Sequence, residues 1–150
     1  MTPAQWFSIA NPLALLGWIC LIASLCLPVA SAWTSRLRLL AGRVVPLLLC
    51  VGYAAAVIIW IGTGSGGGFS SLDSVAILFS SPVALLAGWI HYLAFDLFIG
   101  RWIIDDAVAL KTNRITLIVC LLLTFMFGPL GLLLYFGLRV RRTRPLTSNL

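Results

Sequence analysis

The chain has 150 residues, 61% of them hydrophobic and 9% charged, with a formal net charge of +6 and no glutamate. A soluble domain of this size carries about a quarter charged residues, so the polar surface is too small for a water-facing globule. The ten Lys and Arg flank apolar runs instead of covering a polar face. This excludes a nucleic-acid surface and leaves a single-domain integral membrane protein anchored at anionic headgroups.

The expected fold is all-α, with four transmembrane helices and one short interfacial helix. A bilayer core takes about 20 apolar residues per helix. The first span is expected over about 13–33, with Asn11-Pro12 as cap and first-turn proline and with Pro28 kinking its last third. Ala30-Ser31-Ala32 resembles a signal-peptide cleavage site, but no Lys or Arg precedes the apolar run, as a signal peptide requires. The second span covers about 44–61, with Pro46 in its first turn. Gly52-xxx-Ala56 on this span and Ala84-xxx-Gly88 on the third are small-residue faces suited to close helix packing. A homo-oligomer is compatible with such a bundle.

"GTGSGGGFSS", Gly62 to Ser71, lacks the Lys-Ser or Lys-Thr of a phosphate loop and follows a helix, so it reads as a connector. Leu72, Val75, Ala76 and Phe79 repeat at helical spacing over too few residues to cross, which gives an interfacial helix over about 72–80. The third span runs over about 82–104. The fourth covers about 115–138, capped by Thr112 or Asn113. Within it Pro129 leaves the Phe125 carbonyl without its helical partner, so Gly128 to Gly131 is expected to bend, with Pro129 and Gly131 as the structural residues.

Four spans put Arg139, Arg141, Arg142 and Arg144 on one side, and Arg36, Arg38, Arg43, Lys111 and Arg114 on the other. Charge then does not choose an orientation. Cys20, Cys26, Cys50 and Cys120 lie in apolar runs without metal-ligand spacing and read as buried small hydrophobes.

The third span carries the unusual chemistry. With Pro82 at one membrane face and a rise of about 1.5 Å per residue, His91 falls near the midplane and Asp96 about 7–8 Å beyond it. Arg101 reaches the far interface, where it forms an i,i+4 pair with Asp105, and Asp106 lies among the headgroups. A carboxylate in hydrocarbon costs about 2.5–3.5 kcal/mol, so Asp96 must be protonated, paired or beside a wet cavity. The structural alternatives are a helix-locking hydrogen bond for Asp96 and a neutral, bonded ring for His91. At about 100° per residue the two are roughly 140° apart, too far to touch but able to border one broad cavity. Trp89 and Tyr92 share the side of Asp96, whereas His91 lines up with Phe95, Phe98 and Trp102. One histidine with scattered aspartates makes no metal site, and Ser80 and Ser81 lack a nucleophile elbow.

The pattern Trp89-x-His91-x-Leu93-x-x-Asp96-Leu97-Phe98-x-x-Arg101, then Asp106 and Pro129-x-Gly131, resembles the neoxanthin-synthase-like (abscisic-acid-deficient-four-like) family of small membrane proteins. The resemblance covers about residues 72–138. It implies four membrane helices and a part in converting violaxanthin to neoxanthin, an epoxide opening that forms an allene with no redox cofactor. No basic, Ser-rich transit segment precedes the first span, so a bacterial inner (cytoplasmic) membrane is expected.

Opening an epoxide takes an acid on the oxygen, and forming the allene takes a base for a vinylic proton. Asp96 is the candidate acid and His91 the candidate base. Arg101 with Asp106 would orient a ring hydroxyl, and the polyene would lie along Trp89, Tyr92, Phe95, Phe98 and Trp102. The expected partners are a carotenoid or other hydrophobic lipid-like ligand and the membrane lipids, with neither cofactor nor metal. The alternatives are a non-catalytic carotenoid- or lipid-binding protein that supports biosynthetic enzymes, and a small proton-coupled carrier.

Overall fold

The structure is a computed structural model that describes residues 1–64 and 66–143, with side chains through residue 140. The anchoring role expected for Arg141, Arg142 and Arg144 therefore lies outside the described side chains. Every regular element among the described residues is helical. In chain order these are α1 (Pro3–Cys26), α2 (Ala32–Leu39), a π-helical stretch (Leu40–Val44), α3 (Val45–Thr63), α4 (Leu72–Ser80), α5 (Pro82–Ala109), α6 (Arg114–Phe127) and α7 (Pro129–Thr143).

Three helices are long and apolar enough to cross a membrane, over Pro3–Cys26, Ala32–Thr63 and Pro82–Ala109. This corrects the expected four. The first span starts ten residues early because Thr2 and Gln5 form a capping box at Pro3. Pro12 then lies inside the helix, and Asn11 caps nothing. Pro28 does not kink the span; α1 ends at Cys26 and Ser31 caps a new helix by accepting from the Trp33 amide. The residues around Arg36, Arg38 and Arg43 are thus helical and continuous with α3 instead of forming a loop. The connecting π turn is closed by an i→i+5 bond from the Val45 amide to the Leu40 carbonyl.

The largest departure falls at the C-terminal end. The expected fourth span is two short helices folded back on each other. Gly128 adopts φ +48°, a left-handed value that favours glycine, and Pro129 starts α7. Gly131 then lies directly on the Thr124 backbone and the Cys120 carbonyl, with no room for a Cβ. Cys120 and Gly131 would be about 16 Å apart along one straight helix. At 14 residues α6 spans about 21 Å, short of the ~30 Å hydrocarbon core.

Packing fixes the arrangement, since lipid tails are as apolar as leucine and helix association rests on close fit and polar bonds. α1 and α5 run side by side in the same direction, with Leu97 seated on Gly17 and Trp18 on Gly100. α3 runs antiparallel to α5, and Gly52 faces Ile90. Gly88 takes Phe79 of α4 instead of α3. Leu47, Val51 and Ile58 of α3 point outward, as lipid-facing residues do. Cys20 and Cys120 are buried, but Cys26 and Cys50 face outward, contrary to expectation.

Candidate functional site

The hairpin of α6 and α7 meets α5 at two levels. At its base, Tyr135 is buried and donates its hydroxyl to Asp106 Oδ2 at 2.6 Å, while Arg139 Nε donates to the same oxygen at 2.8 Å. The Tyr135 ring meets Trp102 edge-on at 5.8 Å. At its tip, the turn stops against Asp96. A Cβ on Gly128 would lie 2.9 Å from Asp96 Oδ1 and 3.0 Å from Oδ2. Only glycine lets the chain turn this close to the carboxyl.

Pro129 frees the Phe125 carbonyl, as the sequence implies, and α5 supplies its replacement partner. Tyr92 donates its hydroxyl to that carbonyl at 3.4 Å. Asp96, one turn further along α5, has a buried Oδ2 with no hydrogen-bond partner. The acid is thus half-buried at mid-depth, with an unsatisfied oxygen beside a break in a helix.

Towards the Pro82 end, aromatic rings lead to this carboxyl. Phe7 lies 5.9 Å from Trp89, and Trp89 lies 5.5 Å from Tyr92, centroid to centroid. Trp89 is held by its indole N–H, which donates to Asn11 Oδ1 at 2.7 Å. A cavity of about 300 Å³ opens beside Trp89, lined also by Phe7, Leu85 and Leu86.

His91 belongs to a different face. It stacks on Phe95 at 4.4 Å, lies 5.8 Å from Tyr53 of α3, and borders a cavity of about 380 Å³ with Trp60, Phe79 and Gly88. Asp96 lines neither this cavity nor the one beside Trp89. The acid and the imidazole therefore share none of the described cavities, whereas the sequence allows one broad cavity bordered by both.

The expected polyene track divides in the same way. Trp89 and Tyr92 lie with Asp96, while Phe95 and Phe98 are exposed on the α3 side. Trp102 lies between α7 and the α2–α3 side. Arg101 forms its i,i+4 pair with Asp105 at 2.9 Å and faces α2 and the π turn, whereas Asp106 is engaged by α7. The structure does not bring Arg101 and Asp106 together as one hydroxyl clamp.

The sequence reading missed the hairpin, the Asn11–Trp89 bond and the Tyr135–Asp106–Arg139 cluster. The Gly128-Pro129 dipeptide was the available signal for the first, since such pairs punctuate chains as turns. The other two join residues 78 and at least 29 positions apart, and no local pattern marks them. Among the described residues no three His, Cys, Asp or Glu side chains gather to hold a metal ion.

No curated protein and no solved structure matches the chain. Residues 5–135 match a family model described as ABA DEFICIENT 4-like. That family is associated with plants, so the match lends no support to a bacterial inner membrane; the apolar helices indicate a membrane protein. The match spans well over half of the chain, from the first turn of α1 through α6 and the hairpin turn to Tyr135, and the chain belongs to the ABA DEFICIENT 4-like family.

Proposed function

We propose that the protein acts on the end group of a carotenoid within the membrane, with Asp96 as the proton donor. The observation that carries this reading is the buried, unpartnered Oδ2 of Asp96 at the hairpin tip. A carboxyl oxygen held in an apolar setting without a hydrogen bond, with the Tyr92 hydroxyl as the carboxyl's polar neighbour, is a cost to the fold, and such groups are presumptively functional. The aromatic run Phe7–Trp89–Tyr92 offers stacking surface for a polyene whose end group would reach Asp96.

In an epoxide-to-allene rearrangement, the acid gives its proton to the epoxide oxygen as the C–O bond breaks. A vinylic C–H proton leaves in the same overall change, and substrate and product are isomers. One carboxyl group can serve both transfers, giving from one oxygen and accepting at the other. His91 faces another cavity and is not needed by this scheme.

A second reading is a carotenoid-binding protein without catalysis. The separation of His91 from Asp96 favours it, because a polyene lying against His91 and Phe95 meets no acid. Expression in hosts that accumulate different carotenoids, followed by chromatography of bound and total pigment, separates the two. The catalytic reading expects a rearranged pigment that disappears in Asp96→Asn while pigment stays bound. Bound pigment with no change of product in any host supports the binder.

A further inference from the structure

We propose a second site, between α2, the π turn and α5, that binds the phosphate headgroup of an anionic lipid, with the lipid chain in the adjoining apolar groove. The cavity holds about 520 Å³ and is lined by Arg38, Arg43, Arg101, Asp105, Thr34 and Trp102, among others. Three guanidiniums face one carboxylate, which leaves two positive charges uncompensated. Asp105 takes Arg101 Nε, while Arg101 Nη1 is buried without a hydrogen-bond partner. Arg38 is itself buried, its Nε donating to Ser24 Oγ at 3.4 Å. Converging guanidiniums, of which Arg38 and Arg101 are shielded and Arg43 is exposed, are unfavourable unless an anion completes them, and their planar forks match phosphate oxygens.

The local fold builds this convergence. A regular helix would turn Arg38 and Arg43 about 140° apart. The π turn between them closes i to i+5, and both line the same cavity. Gly42 in that turn lies directly against the Arg101 stem, where a Cβ would overlap it. Glycine therefore lets Arg101 pass into the cavity.

The occupant is argued from what adjoins. Gly42, Arg43 and Phe98 also line a neighbouring groove of about 400 Å³, whose other walls are Pro46, Leu47, Cys50, Ala94 and Phe95. A charged head therefore meets a hydrocarbon track within one continuous lining. The site also lies at the basic end of the bundle. Arg36, Arg38, Arg43, Arg101, Lys111, Arg114 and Arg139 gather there, because α6 and α7 both have their outer ends beside the end of α5. Such an end faces the anionic leaflet. None of the cavity's arginines belongs to the proposed carotenoid site, so either assignment can fail alone.

The test measures lipid retention by native mass spectrometry on the full chain after delipidation and titration. Phosphatidylglycerol should be retained at least about tenfold more tightly than phosphatidylcholine, the worth of one charge-assisted contact. Arg38→Gln with Arg101→Gln should abolish that preference, and Arg114→Gln, outside the cavity, should keep it. If the double variant does not fold, the wild-type protein decides alone, by comparison of long-chain phosphatidylglycerol with glycerol phosphate and inorganic phosphate. Long-chain lipid should bind best. Equal retention of the two lipids, an unchanged preference in a folded double variant, or equal binding of chain-free phosphate each overturns the proposal.

Discussion

Asp96 and Asp106 lie on one helix, and one hairpin touches both. At the hairpin base, Asp106 receives the Tyr135 hydroxyl and the Arg139 guanidinium. At the tip, Asp96 is approached by Gly128, and one of its oxygens receives nothing. The first carboxylate has what an anchor needs, a charged partner and a buried hydroxyl. The second has one oxygen without a hydrogen bond, a glycine turn packed against it and the Tyr92 hydroxyl as its polar neighbour. The same residue type is fully bonded at one level and left with an unsatisfied oxygen ten residues earlier.

The largest effect should appear when the two aspartates are exchanged for asparagine in one product assay. Asp96→Asn should lower turnover by about 10²–10⁴-fold, the usual contribution of a general acid. Its thermal midpoint should stay level or rise, because an incompletely bonded carboxyl is removed from an apolar site. Asp106→Asn should do the reverse, lowering the thermal midpoint while retaining turnover in the folded fraction. Similar behaviour of the two variants would end the distinction.

The hairpin itself can be tested by which side of the membrane each residue faces. In a cysteine-free background, Asn113→Cys and Val140→Cys should both react with an impermeant maleimide added on one side, and Ser70→Cys only on the other. A continuous fourth span would move residue 140 to the side of residue 70.

Smaller effects should grade the fit of tip and base. Gly131→Ala introduces a Cβ onto the Thr124 backbone and should cost about 1–3 kcal/mol in an unfolding titration, as overpacking does. Tyr135→Phe removes a short bond to a charged group from a buried side chain and should cost about 1–2 kcal/mol by the same titration. Tyr92→Phe removes a 3.4 Å bond to the Phe125 carbonyl and the hydroxyl beside the half-buried Asp96, neither of them a short bond to a buried ion pair, so the loss should be near 0.5 kcal/mol. If Tyr92→Phe proved costlier than Tyr135→Phe, the tip would be the anchor and the base the looser end.

Composition and hydropathy alone determined the all-helical membrane class, the α4 helix over Leu72–Ser80 and the start of α5 at Pro82. These follow from local rules: apolar run length, a capping serine, and proline in a first turn. The Arg101–Asp105 pair was legible for the same reason, since i and i+4 meet on any helix. Spacing also singled out Asp96 as a charge with no local excuse.

Only the tertiary structure decided whether α6 and α7 continue or fold back. Hydropathy is blind to direction, and a Gly-Pro break in 24 apolar residues fits a kinked span as well as a hairpin. What selects the hairpin is the seating of Gly131 on Thr124 and the capture of Asp106 by Tyr135 and Arg139, contacts between residues distant in the chain. That choice also brings every described Lys and Arg to one end, an asymmetry that a count over four spans conceals. It separates His91 from Asp96 as well, because the helices packed on either side of α5, not the spacing along it, decide which residues share a cavity.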